Sequence, residues 1–179
     1  MAGTSMVFCD APANLARALE SWMPRPTAVV GIGNPLCGDD GFGPAVVARL
    51  RPASGLHLFD VQAVPESFLV PIVESGCSGV LLVDAADLGV EPGRAALVSA
   101  DRLSEVDVST HAIALVVVAE AVRRLAREAR GSDLVCALLA SQPESLAEAD
   151  RLSLPVQRAV RLAVEGIRLF SRAAGQPQP

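Results

Sequence analysis

Short apolar runs alternate with longer amphipathic stretches along most of the chain. Five of these runs have the length and composition of strands: TAVVGIG (27–33), HLFDVQ (57–62), GVLLVDA (79–85), RAALVSA (94–100) and LVCALLA (134–140). The third run is apolar throughout, which is typical of a strand covered on both faces, whereas the fourth is expected to be more exposed. Strands separated by helices predict a three-layer α/β/α sandwich around a mostly parallel five-stranded sheet.

Four further stretches predict the helices of this sandwich, at 41–51, 66–75, 110–130 and 154–174. Asp39 or Asp40 is placed to cap the first helix, and Ser153 to cap the last. The third helix is the longest and is strongly amphipathic. Its arginines crowd one side and the C-terminal turn, which is typical of a solvated face.

The first 25 residues stand outside this alternation. NLARALESW predicts a helix that begins after Asp10 as its cap, either packed on the outside or mobile. We therefore expect an N-terminal extension over 1–25, a single α/β domain over 26–174 and a disordered tail over 175–179.

Composition narrows the classes of function. The chain has 179 residues, of which 51% are hydrophobic and 20% charged, so one domain with one ample core is expected. A net charge of -5 argues against a protein that coats nucleic acid. No apolar run approaches the roughly 20 residues of a membrane span, and the N-terminus lacks the features of a secretory signal. We expect a cytoplasmic protein with no membrane segment.

The four cysteines do not form a recognisable metal or redox motif. Cys9, Cys37, Cys77 and Cys136 lie far apart in the sequence, with no close pair for a zinc knuckle or a CxxC site. They are interpreted as reduced thiols. Cys136 is expected in the core, while Cys37, in a polar loop, could be an exposed thiol or a nucleophile. A core or bystander role is the favoured interpretation of all four cysteines.

Three polar residues follow or border the apolar runs where a ligand site is expected. In open α/β sheets, ligands bind outside the carboxyl ends of the strands. Asp40 lies in the loop after the first run, Asp84 ends the third, and His111 opens the long helix. A buried Asp84 needs a metal ion, a cation or backbone N–H partners. Two carboxylates and one imidazole suit Zn²⁺, Ni²⁺ or a related ion and leave positions open for water or substrate.

Plainer interpretations of the same residues remain open. Asp40 could serve only as a helix cap, and His111 could be a helix-start residue bonded to the backbone. His57 is interpreted as structural. The loop GIGNPLCGDDG could cradle phosphate, but it matches neither GxGxxG nor GxxxxGKS, and its two aspartates would repel phosphate.

Three segments resemble a known family in order and separation. VVGIGNPLCGDDGFGPAVV, LLVDAADLGVEPG and STHAIAL are similar to the signature segments of the NiFe-hydrogenase maturation endopeptidases, and PESL at 143–146 fits as well. The resemblance runs from Ala28 to about Val164. The segment DVQAVPESF departs from it, because the family usually carries a glycine-rich turn there.

This resemblance implies a cytoplasmic peptidase that removes a C-terminal extension from a NiFe-hydrogenase large-subunit precursor after nickel insertion. We expect it to be a monomer. Asp40, Asp84 and His111 match the family's metal-binding positions, and the implied metal is nickel presented by the precursor, for which zinc or cadmium could substitute in vitro. Asn34, Asp39 and Gly41 of the same loop are expected to contact the substrate. We hypothesise that Asp40 or Asp84 acts catalytically by accepting a proton, with the metal polarising the scissile carbonyl or a water.

Three rival interpretations share parts of this pattern. The same three ligands could serve a non-catalytic checkpoint or chaperone that binds the nickel-loaded precursor without cutting it. Peptidyl-tRNA hydrolases also carry a GxGNP loop, but their catalytic histidine and asparagine are absent after Pro35, and this chain is acidic. A degenerate site is suggested by the missing glycines at 61–64, yet all three candidate ligands are present.

Overall fold

A computed structural model of the chain describes residues 6–99 and 110–173, without the side chains of residues 110–114. The described residues form one six-stranded sheet flanked by helices. The strands are β1 (Met6–Cys9), β2 (Thr27–Ile32), β3 (Leu56–Gln62), β4 (Gly79–Ala85), β5 (Ala95–Ser99) and β6 (Val135–Ser141). The helices are α1 (Pro12–Trp22), α2 (Phe42–Val47), α3 (Leu69–Glu74), α4 (Thr110–Arg130) and α5 (Leu154–Ala173).

The strand order in the sheet is β1-β5-β6-β4-β2-β3. β3, β2, β4 and β6 are parallel, whereas β5 runs antiparallel to both of its neighbours, β6 and β1. The predicted mixed α/β class with a mostly parallel sheet is therefore confirmed. The sheet has one strand more than predicted, because β1 pairs with β5 along the edge.

Two details of the prediction, the exposure of β5 and the cap of α1, were wrong. β5 is not more exposed, since β1 and β6 flank it and Ala95, Ala96, Leu97 and Val98 are all buried. The helix in the first 25 residues is present as α1, but Asp10 does not cap it: the N-cap position is Ala11, which makes no side-chain cap bond. The side chain of Asp10 instead accepts a hydrogen bond from the Asn14 amide.

Strand alternation divides the core into two halves. On one face, Leu81 and Val83 of β4 pack with apolar residues of α1, α2 and α5. On the other face, Val80 and Leu82 pack with apolar residues of α3 and α4. The central strands are buried on both sides, which explains their continuous apolar sequence.

The C-terminal helix begins where its sequence predicts. The backbone N–H of Val156 donates to Ser153 Oγ at 3.4 Å, and the N–H of Gln157 donates to the Ser153 carbonyl. Ser153 is thus the predicted cap of α5. The helix predicted over 66–75 is divided into a short 3-10 helix at Pro65–Phe68 and α3.

Connections between the parallel strands create a crevice at one edge of the sheet. From β2 the chain crosses to β3 on one side, and it then returns to β4 on the other side of β2. The strand order therefore reverses between β2 and β4, and such a reversal opens a crevice at the carboxyl ends of the strands. None of the helices in the described residues is long and apolar enough to cross a membrane.

Candidate active site

The loop after β2 and the first turn of α2 pack directly onto the ends of β2 and β4 because Gly33 in the loop and Gly43 in α2 have no side chain. A Cβ on Gly43 would lie 2.2 Å from the Val83 carbonyl oxygen and 2.3 Å from that of Ile32. A Cβ on Gly33, whose φ is +123°, would lie 1.8 Å from the Asp40 carbonyl oxygen. The close backbone approach at these two glycines places the turn that carries Asp40 over the crevice.

Asp84 lies at the end of β4, where its side chain is buried. It is 1% exposed, and its Oδ1 accepts a hydrogen bond from the backbone N–H of Ala85 at 2.8 Å. Burial raises the pKa of the Asp84 carboxyl well above its usual value, and the nearby charge of Asp40 raises it further. The Ala85 N–H opposes this shift without cancelling it. A cation at this position would favour the charged form of Asp84.

Asp40 faces the same crevice and has one oxygen without a partner. Asp40 is 7% exposed, and its Oδ2 accepts a hydrogen bond from the backbone N–H of Asn34 at 2.6 Å. Its Oδ1 is buried and has no hydrogen-bond partner among the described residues. A buried carboxylate oxygen in this state is costly unless a ligand completes it. The donor set of Asp40 and Asp84 fits a divalent cation.

The helix-cap interpretation of Asp39 and Asp40 was wrong. A short 3-10 helix at Gly38–Gly41 precedes α2, and neither helix has a side-chain hydrogen bond at its N-cap. The N-cap positions are Cys37 and Gly41. Both aspartates are therefore left for other contacts.

His111 lies in the first turn of α4, and its side chain is outside the described part of the structure. At the other end of α4, Arg130 donates a hydrogen bond to the Cys77 carbonyl, just before β4 begins. The helix therefore starts toward the edge where β4 ends, on the face of the sheet that carries Val80 and Leu82. Strand alternation assigns Asp84 to that same face.

A third metal ligand is not visible among the described side chains. Within that part of the chain, no three histidine, cysteine or acidic residues come close enough together to hold a metal ion. The described side chains thus bring together two of the three predicted ligands, Asp40 and Asp84, and metal binding by them stays a prediction. The role of His111 stays a prediction.

Asp39 uses both carboxylate oxygens within the protein. It is 1% exposed, and its Oδ2 accepts hydrogen bonds from the backbone N–H groups of Glu144 and Ser145 at 2.8 and 3.3 Å. Its Oδ1 accepts one from Ser153 at 2.7 Å. The structure thus shows that Asp39 anchors the segment after β6 to the loop after β2. Sequence reasoning missed this anchoring task. Contact of Asp39 with substrate stays a prediction.

Backbone hydrogen bonds join the two loops that Asp39 bridges. The N–H of Gly38 donates to the Ala149 carbonyl at 3.1 Å, and the N–H of Ala149 donates to the Leu36 carbonyl at 3.0 Å. The N–H of Asp39 donates to the Ser145 carbonyl at 3.1 Å. The segment after β6, which contains PESL, therefore forms one wall with the loop after β2. We call residues 34–41 and 142–153 together the site rim.

The remaining loop candidates contact one another. Asn34 Nδ2 donates to Cys37 Sγ at 3.2 Å, and Asn34 Oδ1 accepts from the Leu36 N–H at 3.0 Å. Gly41 is buried, and a Cβ there would lie 3.1 Å from Pro35 Cα. Substrate contact by Asn34 and Gly41 stays a prediction, as does a nucleophilic role for Cys37.

The other cysteine and histidine predictions concern the fold. Cys136 is buried as predicted, and burial raises the pKa of its thiol to about 11. No disulfide is present among the described residues, in which all four cysteines are free. His57 lies on the edge strand β3, partly exposed and away from the ends of β2 and β4.

Comparisons with known proteins agree with this fold. The family model of the hydrogenase maturation protease HycI matches residues 46–168, a range that includes Asp84 and His111 and begins after Asp40. The hydrogenase 3 maturation protease of Escherichia coli K12 is 32% identical over 81 residues, which cover 44% of this chain and 52% of that protein. The chain thus aligns with about half the length of this relative.

Solved structures extend the similarity to most of the chain. The crystal structure of the NiFe-hydrogenase maturation protease HycI from Thermococcus kodakarensis superimposes with a TM-score of 0.69 and 31% identity, covering 88% of this chain and 98% of that one. HybD, a hydrogenase maturating endopeptidase of Escherichia coli, shares the fold with a TM-score of 0.68 at 21% identity, over 83% of this chain and 93% of that one. With two thirds of its length matched by the family model, this chain belongs to the hydrogenase maturation protease family.

Proposed function

We propose that this protein is an endopeptidase that removes the C-terminal extension of a NiFe-hydrogenase large-subunit precursor after nickel has been inserted. Its membership of the family supports peptidase chemistry and a hydrogenase precursor as substrate. In this proposal the nickel belongs to the substrate, and the protease recognises it through Asp40, Asp84 and His111.

The observation that carries the proposal is the pair of buried carboxylates at the switch point of the sheet. Asp40 has a buried oxygen without a partner, and Asp84 has a raised pKa because it is buried beside Asp40. Without a bound cation, these two buried carboxylates do not stabilise the fold, because burial of a charge is costly. Such carboxylates are expected at a site that binds a cation, and groups of this kind are concentrated at functional sites.

The two carboxylates have separable tasks in peptide hydrolysis. A divalent ion held there would supply an electrophile that polarises a carbonyl or a water. Asp84 lies deep at the strand end, where it would hold that ion. Asp40, on the loop, is closer to solvent and is the better placed of the two to accept a proton from an attacking water.

The site rim supports binding of an extended peptide beside this pair. Leu36 and Leu146 belong to its two loops, and their side chains are 66% and 47% exposed. Exposed leucines next to a polar crevice favour contact with apolar residues of a partner. Asp39 and the backbone bonds between the loops keep the two leucines at fixed positions.

Intact-mass analysis of a purified precursor tests this function. Nickel-loaded and nickel-free precursor are each incubated with the protein, and the mass of the large subunit is measured before and after. We expect a loss equal to the C-terminal extension from the nickel-loaded form only. Cys37→Ser, a conservative change in the same loop, is the matched control and should cleave as the wild type does.

Two outcomes would contradict the proposal in different ways. Binding of the nickel-loaded precursor without any loss of mass would indicate a non-catalytic checkpoint. Loss of cleavage in Cys37→Ser, with its melting temperature unchanged, would indicate that the Cys37 thiol carries out the reaction and the carboxylates do not.

A further inference from the structure

A groove lined by arginines runs along the surface formed by α2 and α5. Its central cleft has a volume of about 650 Å³, and clefts of about 390 and 340 Å³ adjoin it because they share lining residues with it. We call the three clefts together the arginine groove. Its arginines are Arg49, Arg51, Arg151, Arg161, Arg168 and Arg172.

The charge of this groove is opposite to that of the rest of the protein. Its lining contains six arginines and two acidic residues, Asp150 and Glu165. The remainder of the chain therefore has nine arginines and eighteen acidic residues. A concentration of positive charge in a groove of an acidic protein indicates a negatively charged partner, which the surrounding surface directs toward the groove.

Half of the guanidinium groups in the groove are available to a ligand. Arg51, Arg161 and Arg172 are exposed and make no hydrogen bond or ion pair with any described residue. Arg168 donates to the Arg49 carbonyl at 2.9 Å and lies 3.8 Å from Glu165. Arg49 donates to the Ala45 carbonyl at 2.8 Å, and Arg151 lies 3.8 Å from Asp150. The groove thus combines three arginines that have contacts in the protein with three that are free, and guanidinium groups bind carboxylates through paired hydrogen bonds.

The form of the groove favours a polypeptide over a compact anion. Four of its six arginines line the central cleft, and Arg151 and Arg172 extend the positive charge into the two adjoining clefts. A positive surface of this length suits a chain that carries several carboxylates, each of which can bind a guanidinium group. Apolar side chains between them, including Val164, Leu152 and Leu56, suit the aliphatic parts of a peptide. A long polyanion such as RNA would extend beyond the groove onto the acidic surface and be repelled.

One end of the groove lies against the site rim. The cleft of about 390 Å³ is lined by Pro35, Gly38 and Gly41 of the loop after β2, together with Arg49 and Arg151. A partner in the groove would therefore contact the opposite side of the loop that carries Asp40. Contacts at two places let a protease select its substrate by more than the residues around the cleaved bond.

We propose that the arginine groove binds a carboxylate-rich segment of the precursor while its C-terminal extension lies at Asp40 and Asp84. This inference rests on the proposed function for the identity of the partner. It assigns selection of the substrate to Arg51 and Arg161 in particular, which lie away from the crevice and have free guanidinium groups. Contacts in the groove are expected to lower the KM for the precursor and to leave kcat unchanged.

A binding assay tests the groove independently of cleavage. Fluorescence anisotropy is measured with a labelled peptide that contains a run of glutamates and with a matched peptide that contains glutamines. We expect the glutamate peptide to bind the wild type, to dissociate as salt is added, and to bind R51Q/R161Q roughly tenfold more weakly. The control R124Q/R127Q removes the same charge from α4, on the other face of the sheet, and should bind within about twofold of wild type.

Cleavage kinetics with the nickel-loaded precursor complete the test. R51Q/R161Q should raise KM roughly tenfold at an unchanged kcat, because only binding outside the reacting centre is altered. Equal glutamate-peptide binding by wild type and R51Q/R161Q would overturn the inference, and so would tighter binding of tripolyphosphate or RNA than of the peptide. If wild type cleaves no precursor but binds the glutamate peptide through the groove, the proposed function fails and the affinity for acidic segments stands.

Discussion

Asp39 and Asp40 are consecutive residues of one short helix, and both are buried, yet their carboxylates have opposite surroundings. Asp39 accepts three backbone hydrogen bonds, from residues 144, 145 and 153. Asp40 accepts one, and its second oxygen has no partner among the described residues. The hydrogen bonds of Asp39 stabilise the fold, whereas the unpaired oxygen of Asp40 is available to a ligand. Burial alone does not distinguish a structural carboxylate from a functional one.

Asp84 extends the comparison across the crevice. It is as buried as Asp39, but it accepts a single hydrogen bond in the protein, and its pKa is raised by burial and by Asp40. A carboxylate in surroundings that disfavour its charged form lowers stability, and such residues are found mainly where function requires them. We therefore expect substitution of Asp39 to lower stability, and substitution of Asp40 or Asp84 to affect function without lowering stability.

The largest expected effect is on activity. Asp40→Asn keeps an oxygen to accept the Asn34 N–H but removes the charge that the proposed site needs. We expect processing of nickel-loaded precursor to fall by about a hundredfold or more, while the melting temperature changes by no more than about 2 °C. His111→Ala should have the same effect on processing. Intact-mass time courses and thermal unfolding measure the two quantities.

A large drop in the melting temperature of Asp40→Asn would contradict this contrast. It would mean that Asp40, like Asp39, serves the fold. Retained processing at normal stability would remove Asp40 from the proposed chemistry.

The next effect is on stability. Asp39→Ala leaves three backbone N–H groups without their acceptor, so we expect the free energy of unfolding to fall by about 3 kcal/mol. Urea denaturation measures this change. Glu148→Ala, an exposed position of the same rim, is the control and should change stability by less than about 0.5 kcal/mol. Equal stability of the two variants would show that the bonds of Asp39 do not hold the rim.

The smallest effect has the opposite sign. In the metal-free protein, Asp84→Asn removes a carboxyl whose ionisation burial opposes, and we expect it to stabilise the fold by about 1 kcal/mol at pH 7. Since the folded pKa of Asp84 is raised, its unfolded form ionises first as pH increases above about 4, and wild-type stability is lost as pH rises through the folded pKa.

The advantage of Asp84→Asn should therefore be absent below about pH 4 and should grow toward neutral pH. Urea denaturation of both proteins in the presence of a chelator, across this pH range, measures it. A variant that is less stable than wild type at pH 7 would show that the Asp84 charge is already compensated within the protein.

Sequence reasoning predicted the elements that have a strong local pattern. The central strands are apolar on both faces, and α5 has a cap at Ser153, so both could be predicted from short windows of sequence. β1 was missed because it has four residues, and its stability depends on pairing with β5 nearly ninety positions later. The burial of β5 was missed for the same reason.

The site was predictable to the extent that it follows from topology. Asp40 and Asp84 were selected because they follow strands of a parallel sheet, and the structure brings them to one crevice. The task of Asp39 was not predictable, because its partners are backbone N–H groups more than a hundred residues away. Every residue except proline carries such a donor, so the sequence holds no signal for it.

The edge strand β1 and helix α1 have a consequence for where the folded chain can be shortened. A chain that began at residue 26 would leave the outer edge of β5 unpaired and would uncover the side of α5 on which Leu15 and Leu19 pack. Open strand edges and bare apolar helix faces both promote self-association. Residues 6–22 lie outside the central strands, and we expect them to protect the folded protein against aggregation.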